Sequence, residues 1–86
     1  MKRIIEDTEA SGLEALIGER VLLMCANYFY SGKLEGVNKD CVELSDPSIV
    51  YDTGAWSEKT YADSQKLNSK KWYVAISSIE SYGAGK

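Results

Sequence analysis

Asn38, Lys39 and Asp40 join two strand-like stretches and carry side chains that can bind nucleic acid. The Asn38 amide can hydrogen-bond the edge of a base, and the Lys39 ammonium can contact a phosphate. Asn and Asp are also favoured in tight turns, because their side chains bond to nearby backbone and they tolerate a left-handed conformation. The segment therefore has two interpretations, a base-binding turn or a plain hairpin turn.

A second candidate lies in the polar segment 54–71, where lysines are interleaved with aromatic residues. Single-stranded nucleic acid binds to aromatic rings on which its bases stack, at about 1–3 kcal/mol per base, with cations near the phosphates. The residues that could make such contacts are Trp56, Lys59, Lys70 and Lys71. The alternative is a solvated loop whose aromatic rings cover one end of the fold or a joint between subunits.

The sequence offers little for catalysis or metal binding. It contains no histidine, no glycine-rich phosphate loop and no paired-carboxylate pattern, so we expect no catalytic residues and no enzyme activity. Cys25 and Cys41 have no histidine to act as a base and form no Cys-x-x-Cys pair. They are typical of buried free thiols in a reducing compartment. We therefore expect a cytoplasmic protein with no metal and no cofactor.

Charge and size restrict the partners. The net charge of −3 argues against broad binding of nucleic acid through phosphate neutralisation, although a local basic patch remains possible. The longest apolar run, residues 21–26, is far too short to span a membrane. The 86 residues are expected to form a single domain. A domain of this size buries only about 60–65% of its unfolded surface, and oligomerisation is one way to offset that deficit.

The elements that must position these residues begin with a helix. Residues 8–18 are expected to form a short α-helix, because Ser11 and Glu14 have capping-box spacing and Gly18 can end it. Five strands are expected to follow, at about 19–27, 28–37, 41–51, 72–77 and 78–82. A long loop at 52–71 and a flexible tail at 83–86 complete the chain.

Two glycines, Gly32 and Gly36, lie four residues apart within the second predicted strand. A glycine inside a strand marks a bulge, a sharp bend or a close backbone approach. An open sheet of about five short strands cannot enclose a core, whereas a strongly bent sheet can. We therefore predict a mostly β fold, in which the N-terminal helix precedes a five-stranded, strongly bent antiparallel small barrel.

Several stretches carry a resemblance to a known family. Residues 17–21 (IGERV), 30–37 (YSGKLEGV) and 42–46 (VELSD) resemble the first motif of the Sm-like family, which includes Sm, LSm and Hfq proteins. Residues 75–79 (AISSI) are similar to the second motif, especially its Hfq version. The resemblance covers roughly residues 10–82. It implies an Sm-like barrel, a ring of identical subunits and binding of single-stranded RNA.

The resemblance also implies where RNA would bind. In the family, the turn after the second strand and the turn between the last two strands line the inner rim of the ring. Those positions fall on five residues of this chain, which are Asn38, Lys39, Asp40, Ser77 and Ser78. Asp40 stands where the family has a base-stacking aromatic or histidine, and the serines stand where Sm proteins have Arg-Gly. The predicted nucleotide pocket is therefore divergent.

A ring also has a physical reason, because the two edges of a five-stranded bent sheet present unpaired backbone N–H and C=O groups. The fourth strand of one Sm-like subunit pairs with the fifth strand of the next, so 72–77 and 78–82 are the expected partner edges. A head-to-tail contact of this kind closes into a ring or continues as a filament. Two alternatives remain open: a structural or protein-interaction ring that has lost RNA binding, and a monomeric SH3-like or OB-like binding module.

Overall fold

A computed structural model of the chain describes residues 12–86, and these residues form a mostly β fold of six antiparallel strands. The sequence predicts five strands, so the structure has one strand more than predicted. The six strands are β1 (Arg20–Cys25), β2 (Phe29–Val37), β3 (Cys41–Asp52), β4 (Asp63–Lys66), β5 (Lys71–Ala75) and β6 (Ile79–Ala84).

The strands form an open sheet in the order β4-β3-β2-β1-β6. β5 pairs with the first half of β3, from Cys41 to Ser45, while β4 pairs with its second half, from Ser48 to Asp52. β5 and β6 are not paired with each other in the described part of the chain. The mostly β, antiparallel character is therefore as predicted, but the predicted small barrel is not closed within residues 12–86, because β5 and β6 each have a neighbour on one side only.

The irregularities of β2 lie at the two glycines that the sequence singles out. The register between the two strands shifts between Ser31 and Lys33 and again between Leu34 and Gly36. Gly32 lies within the first shift, and Gly36 borders the second. β3 continues through Asp46, which has a φ of 48°, a left-handed conformation that non-glycine residues rarely adopt. These irregularities curl the sheet around its apolar face.

The core occupies the concave side of this curled sheet. Residues of β1, β2, β3 and β5 face it, and those of β1 and of the first half of β3 alternate with a period of two. The buried cluster consists of Val21, Leu23, Cys25, Leu34, Val42, Leu44 and Val74. Leu22 faces the opposite side of β1 and is nevertheless only 2% exposed. β1 is thus covered on both faces, as its apolar sequence predicts.

The predicted α-helix at 8–18 is not present in its described part. Residues 8–11 lie outside the described residues, and from Gly12 onward only a 3₁₀ turn, Leu13–Leu16, is formed. Gly12 and Gly18 have φ values of 71° and 93°. Both values lie outside the helical region, so the two glycines confine the turn from either side. No helix within residues 12–86 is long and apolar enough to cross a membrane.

The second half of the chain is more ordered than predicted. The segment 52–71, predicted as a loop, contains β4, and β5 begins at Lys71. Ile76–Ser78 forms a 3₁₀ turn at the boundary that the sequence predicts between its last two strands, 72–77 and 78–82. Gly83 and Ala84, predicted to begin a flexible tail, are part of β6 because they pair with Leu22 and Val21 of β1.

Candidate nucleic-acid interface

The turn between β2 and β3 consists of the three exposed residues Asn38, Lys39 and Asp40. The Oδ1 atom of Asn38 accepts hydrogen bonds from the backbone N–H groups of Asp40, at 2.7 Å, and Cys41, at 2.8 Å. The side-chain oxygen of Asn38 therefore shapes the turn, as expected if the segment is a plain hairpin turn. Its amide NH₂ group makes no hydrogen bond within residues 12–86 and is the part of the side chain that can reach a ligand.

The second predicted turn, Ile76–Ser78, lies directly beside the first. The backbone N–H of Ile76 donates to the carbonyl of Asp40 at 2.9 Å. On its other side, the carbonyl of Ser78 accepts a hydrogen bond from the backbone N–H of Ala26 at 3.3 Å. Ser77 and Ser78 are both exposed. The fold thus brings together the two turns that the sequence assigns to one rim, and their binding of RNA stays a prediction.

Positive charge at this rim is sparse. Lys39 forms no ion pair within residues 12–86, but it is followed by the exposed carboxylate of Asp40. Most other cations of the strands are paired with carboxylates. These ion pairs are Arg20–Asp46 at 3.2 Å, Lys33–Glu35 at 3.9 Å, Lys66–Asp46 at 3.1 Å and Lys71–Glu43 at 3.4 Å. Phosphate contacts at the rim would therefore be few.

A shallow pocket of about 220 Å³ adjoins Asn38 and brings in a residue that sequence reasoning left out of the rim. Tyr73 of β5 lies across from Glu43 of β3 and is 58% exposed, so its ring is available for stacking. Its hydroxyl donates to Glu43 Oε1 at 3.0 Å, and this bond raises the pKa of Tyr73. In the sequence, Tyr73 stands next to the lysine-rich segment. Its position beside Asn38 follows only from the pairing register of β3 and β5.

The secondary candidates do not form one surface. Trp56 lines a groove on the outer face of β1 and β6, together with Leu22, Met24 and Tyr82. Lys71 lies on β5 and pairs with Glu43 at the other edge of the sheet. Lys59 and Lys70 are exposed and form no ion pair within residues 12–86. The alternation of lysines and aromatic rings in the sequence is therefore not a continuous binding strip in the fold.

A pocket of about 300 Å³ opens between the β1–β2 hairpin and β5. Its aromatic residues are Tyr28, Tyr30, Trp72 and Tyr73. Trp72 lies opposite the buried Leu44 and therefore on the core side of the sheet, yet it is 37% exposed. The pocket exists because no strand of the described chain continues the sheet beyond β5.

Cys25 forms part of this pocket and is not suited to nucleophilic chemistry. It is only 7% exposed, and burial, with a smaller effect of the Glu80 carboxylate, raises the pKa of its thiol. Cys41 is half-buried, and both cysteines are free thiols. Within residues 12–86, no group of three Cys, Asp or Glu side chains lies close enough to hold a metal ion.

No family model, curated protein or solved structure matches the chain. Relatives therefore neither support nor oppose the Sm-like resemblance. Support for a function has to come from the sheet edges, the two adjoining turns and the aromatic pocket.

Proposed function

We propose that the chain is an Sm-like subunit that assembles with copies of itself into a ring and binds single-stranded RNA. The observation that carries the proposal is that, in the described part of the chain, β5 and β6 each pair with a neighbouring strand along only one of their two edges. Within residues 12–86, β5 pairs only with β3, and β6 pairs only with β1. Each strand therefore presents a row of backbone N–H and C=O groups that a neighbouring copy can pair.

The composition of the edges favours β5 and β6 as the joining strands. β4 is also an edge strand, but it has four exposed residues, begins with Asp63 and ends with Lys66. Charged side chains of this kind discourage pairing with another chain. β5 and β6 are longer and carry the exposed aromatic residues Trp72, Tyr73 and Tyr82. A contact from β5 of one copy to β6 of the next is head-to-tail, and it closes into a ring when the rotation between successive copies closes.

The aromatic pocket supports the same contact. Its opening lies along β5, so a strand added to that edge would cover the exposed part of Trp72. The central part of a protein interface is typically apolar and rich in aromatic side chains. The unfilled space in a single subunit would then become part of the interface between two.

RNA binding is proposed at the adjoining turns 38–40 and 76–78. The available groups are the NH₂ of Asn38, the ammonium of Lys39 and the hydroxyls of Ser77 and Ser78, with the ring of Tyr73 nearby. Such groups read base edges and phosphates of single strands. One such site is weak because it has one unpaired cation, but a ring repeats it in every subunit and gains avidity from a single RNA strand.

The assembly is tested by light scattering of the purified chain over a wide range of protein concentration. The expected result is one species whose mass is a whole multiple of the 9.5 kDa chain mass. A species of one chain mass at every concentration would reject the ring.

RNA binding is tested by filter-binding titrations against poly(U) and poly(A) at two salt concentrations. Affinity should fall as salt rises, since phosphate contacts release counterions. Lys39→Ala and Asn38→Asp should both weaken binding, whereas Lys33→Ala, which removes an exposed lysine of β2 that belongs to neither candidate site, is the matched control. Asn38→Asp is preferred to Asn38→Ala because it keeps the oxygen that holds the turn. Absence of binding at low salt would reject the RNA role.

Two other functions have specific support. A ring that serves structure or protein interaction without RNA is favoured by the near-neutral rim, where Lys39 stands beside Asp40. A monomeric SH3-like or OB-like binding module is favoured by the pocket of about 300 Å³ and its aromatic lining. Light scattering separates the module from the rings, and the RNA titration separates the two rings from each other.

A further inference from the structure

The ammonium group of Lys86 is enclosed by the segment 53–61. Its Nζ atom donates hydrogen bonds to three backbone carbonyls, those of Thr53 at 2.8 Å, Ala55 at 3.0 Å and Thr60 at 3.1 Å. A lysine ammonium has three N–H donors, so each donor has its own acceptor. Hydrogen bonds with a charged donor are among the stronger ones in proteins.

Two aromatic rings complete this environment. The Nζ atom lies 5.5 Å from the centre of the Trp56 ring and 5.1 Å from the centre of the Tyr61 ring. Both distances are within the range of about 6 Å in which a cation is attracted to the face of an aromatic ring. Three carbonyls and two rings from one short segment therefore converge on a single positive charge.

Contacts other than Lys86 shape the segment. Gly54 has a φ of 68° and its backbone N–H donates to Asp52 Oδ1 at 2.9 Å. The backbone N–H of Glu58 donates to the carbonyl of Ala55 at 3.0 Å. These local hydrogen bonds and the left-handed Gly54 therefore set the curvature that points the carbonyls inward. The lysine fills a site that the turns already define.

The backbone around Lys86 is fastened to β1. The N–H of Gly85 donates to the carbonyl of Arg20 at 2.9 Å, and Arg20 Nε donates to the carbonyl of Lys86 at 3.1 Å. The N–H of Lys86 also donates to the Tyr61 hydroxyl at 3.0 Å. Lys86 therefore connects the sheet to the segment that carries Trp56 across the outer face of β1.

We infer that residues 53–61 form a receptor for a primary alkylammonium group, which Lys86 fills in this structure and thereby holds the segment against the sheet. Three converging carbonyls select for a group with three N–H donors. A quaternary ammonium has none to offer, and a planar guanidinium spreads its donors over three nitrogens in one plane instead of presenting three from one atom. The receptor uses neither the free sheet edges nor the two turns of the proposed RNA rim, so it stands apart from the proposed function.

The test is chemical rescue of Lys86→Ala in the full chain, followed by amide hydrogen exchange of residues 53–61. Removing the ammonium should speed exchange there by about tenfold or more, because three charge-assisted hydrogen bonds are lost. Propylammonium should then restore protection, whereas tetramethylammonium and guanidinium at equal concentration should not. Lys70→Ala is the matched control, since this exposed lysine lies outside residues 53–61 and forms no ion pair in the described residues, and it should leave exchange in the segment unchanged. Unchanged exchange in Lys86→Ala, no rescue, or equal rescue by all three cations would overturn the receptor.

A second measurement leaves Lys86 in place. The ammonium protons of Lys86 should give an NMR signal shifted upfield by the two aromatic rings. Trp56→Leu removes one ring and should move that signal towards the position of an exposed lysine. A Lys86 ammonium signal that already matches those of the exposed lysines in the unmodified chain would contradict the receptor.

Discussion

The carbonyl oxygen of Ser45 lies 2.9 Å from the place that a β-carbon on Gly32 would occupy. The same β-carbon would stand 3.2 Å from Leu44 Cβ and 3.4 Å from Pro47 Cα. β2 and β3 therefore approach each other so closely at this bulge that only glycine fits without movement of the backbone. The contact explains why a strand in the middle of the sheet contains a glycine.

Gly32→Ala should destabilise the fold by about 1–3 kcal/mol, as expected when extra volume is forced into a packed region. Gly36→Ala is the matched control, because the only atom near its β-carbon is Glu43 Oε2 at 3.9 Å. The control should change stability by no more than about 0.5 kcal/mol. Urea unfolding measures both values, and equal losses in the two variants would refute the role given to the Ser45 contact.

Acid should weaken the fold in part through Asp46. A hydrogen bond and the charge of Lys66, with a further contribution from Arg20, lower the pKa of the Asp46 carboxyl. Because the pKa of Asp46 is lower in the folded chain than in the unfolded chain, its carboxylate stabilises the fold at pH values above the unfolded pKa of about 3.9. That contribution is lost as the pH falls through the lower, folded pKa. Because the side chain is exposed, the effect should be modest and should shrink with added salt.

Asp46→Asn separates this charge from the backbone. Asn accepts the left-handed conformation of Asp46 at φ 48° at least as readily as Asp does, so the variant removes the charge without adding backbone strain. Its stability should fall below that of the unmodified chain at neutral pH and converge with it in acid. Asp46→Ala should lose more at every pH, since Ala adds backbone strain. A stability difference between Asp46→Asn and the unmodified chain that is constant with pH would contradict the charge effect.

Trp72 should report on assembly. The sequence contains two tryptophans, so Trp56→Phe leaves Trp72 as the only one. If β5 joins a neighbouring copy, the 37% exposure of Trp72 should fall as protein concentration rises. Acrylamide quenching of its fluorescence should decrease in step. Quenching that is independent of concentration, while light scattering shows oligomers, would mean that assembly uses another surface.

The two thiols should differ in reactivity. Cys25 is buried and has a raised pKa, so in a Cys41→Ser variant it should react slowly with Ellman's reagent. Cys41 is half-buried, so Cys25→Ser should leave a faster-reacting thiol. In urea the two rates should become similar. Equal rates in the folded chain would show that the pocket around Cys25 is open to the reagent.

Local pattern predicted the first half of the sheet well. The alternation of apolar residues gave the first three strands to within a residue or two at most ends. Gly32 and Gly36 lie at or beside the register shifts between β2 and β3, because their backbone requirements are local. The receptor for Lys86 could not be anticipated in this way, since its carbonyls carry no side-chain signal and its lysine lies 25 to 33 residues away.

The sequence by itself determined the elements whose causes are short-ranged: the β character, the bends at glycine and the Asn38 turn. The tertiary structure alone decided that β4 forms, that Tyr73 reaches the Asn38 turn and that Ile76 bonds to Asp40. The physical reason is that strand pairing joins residues far apart in the chain, so register and edge exposure depend on the whole sheet. For the same reason only the structure shows that the sheet is open within residues 12–86, with β5 and β6 unpaired to each other.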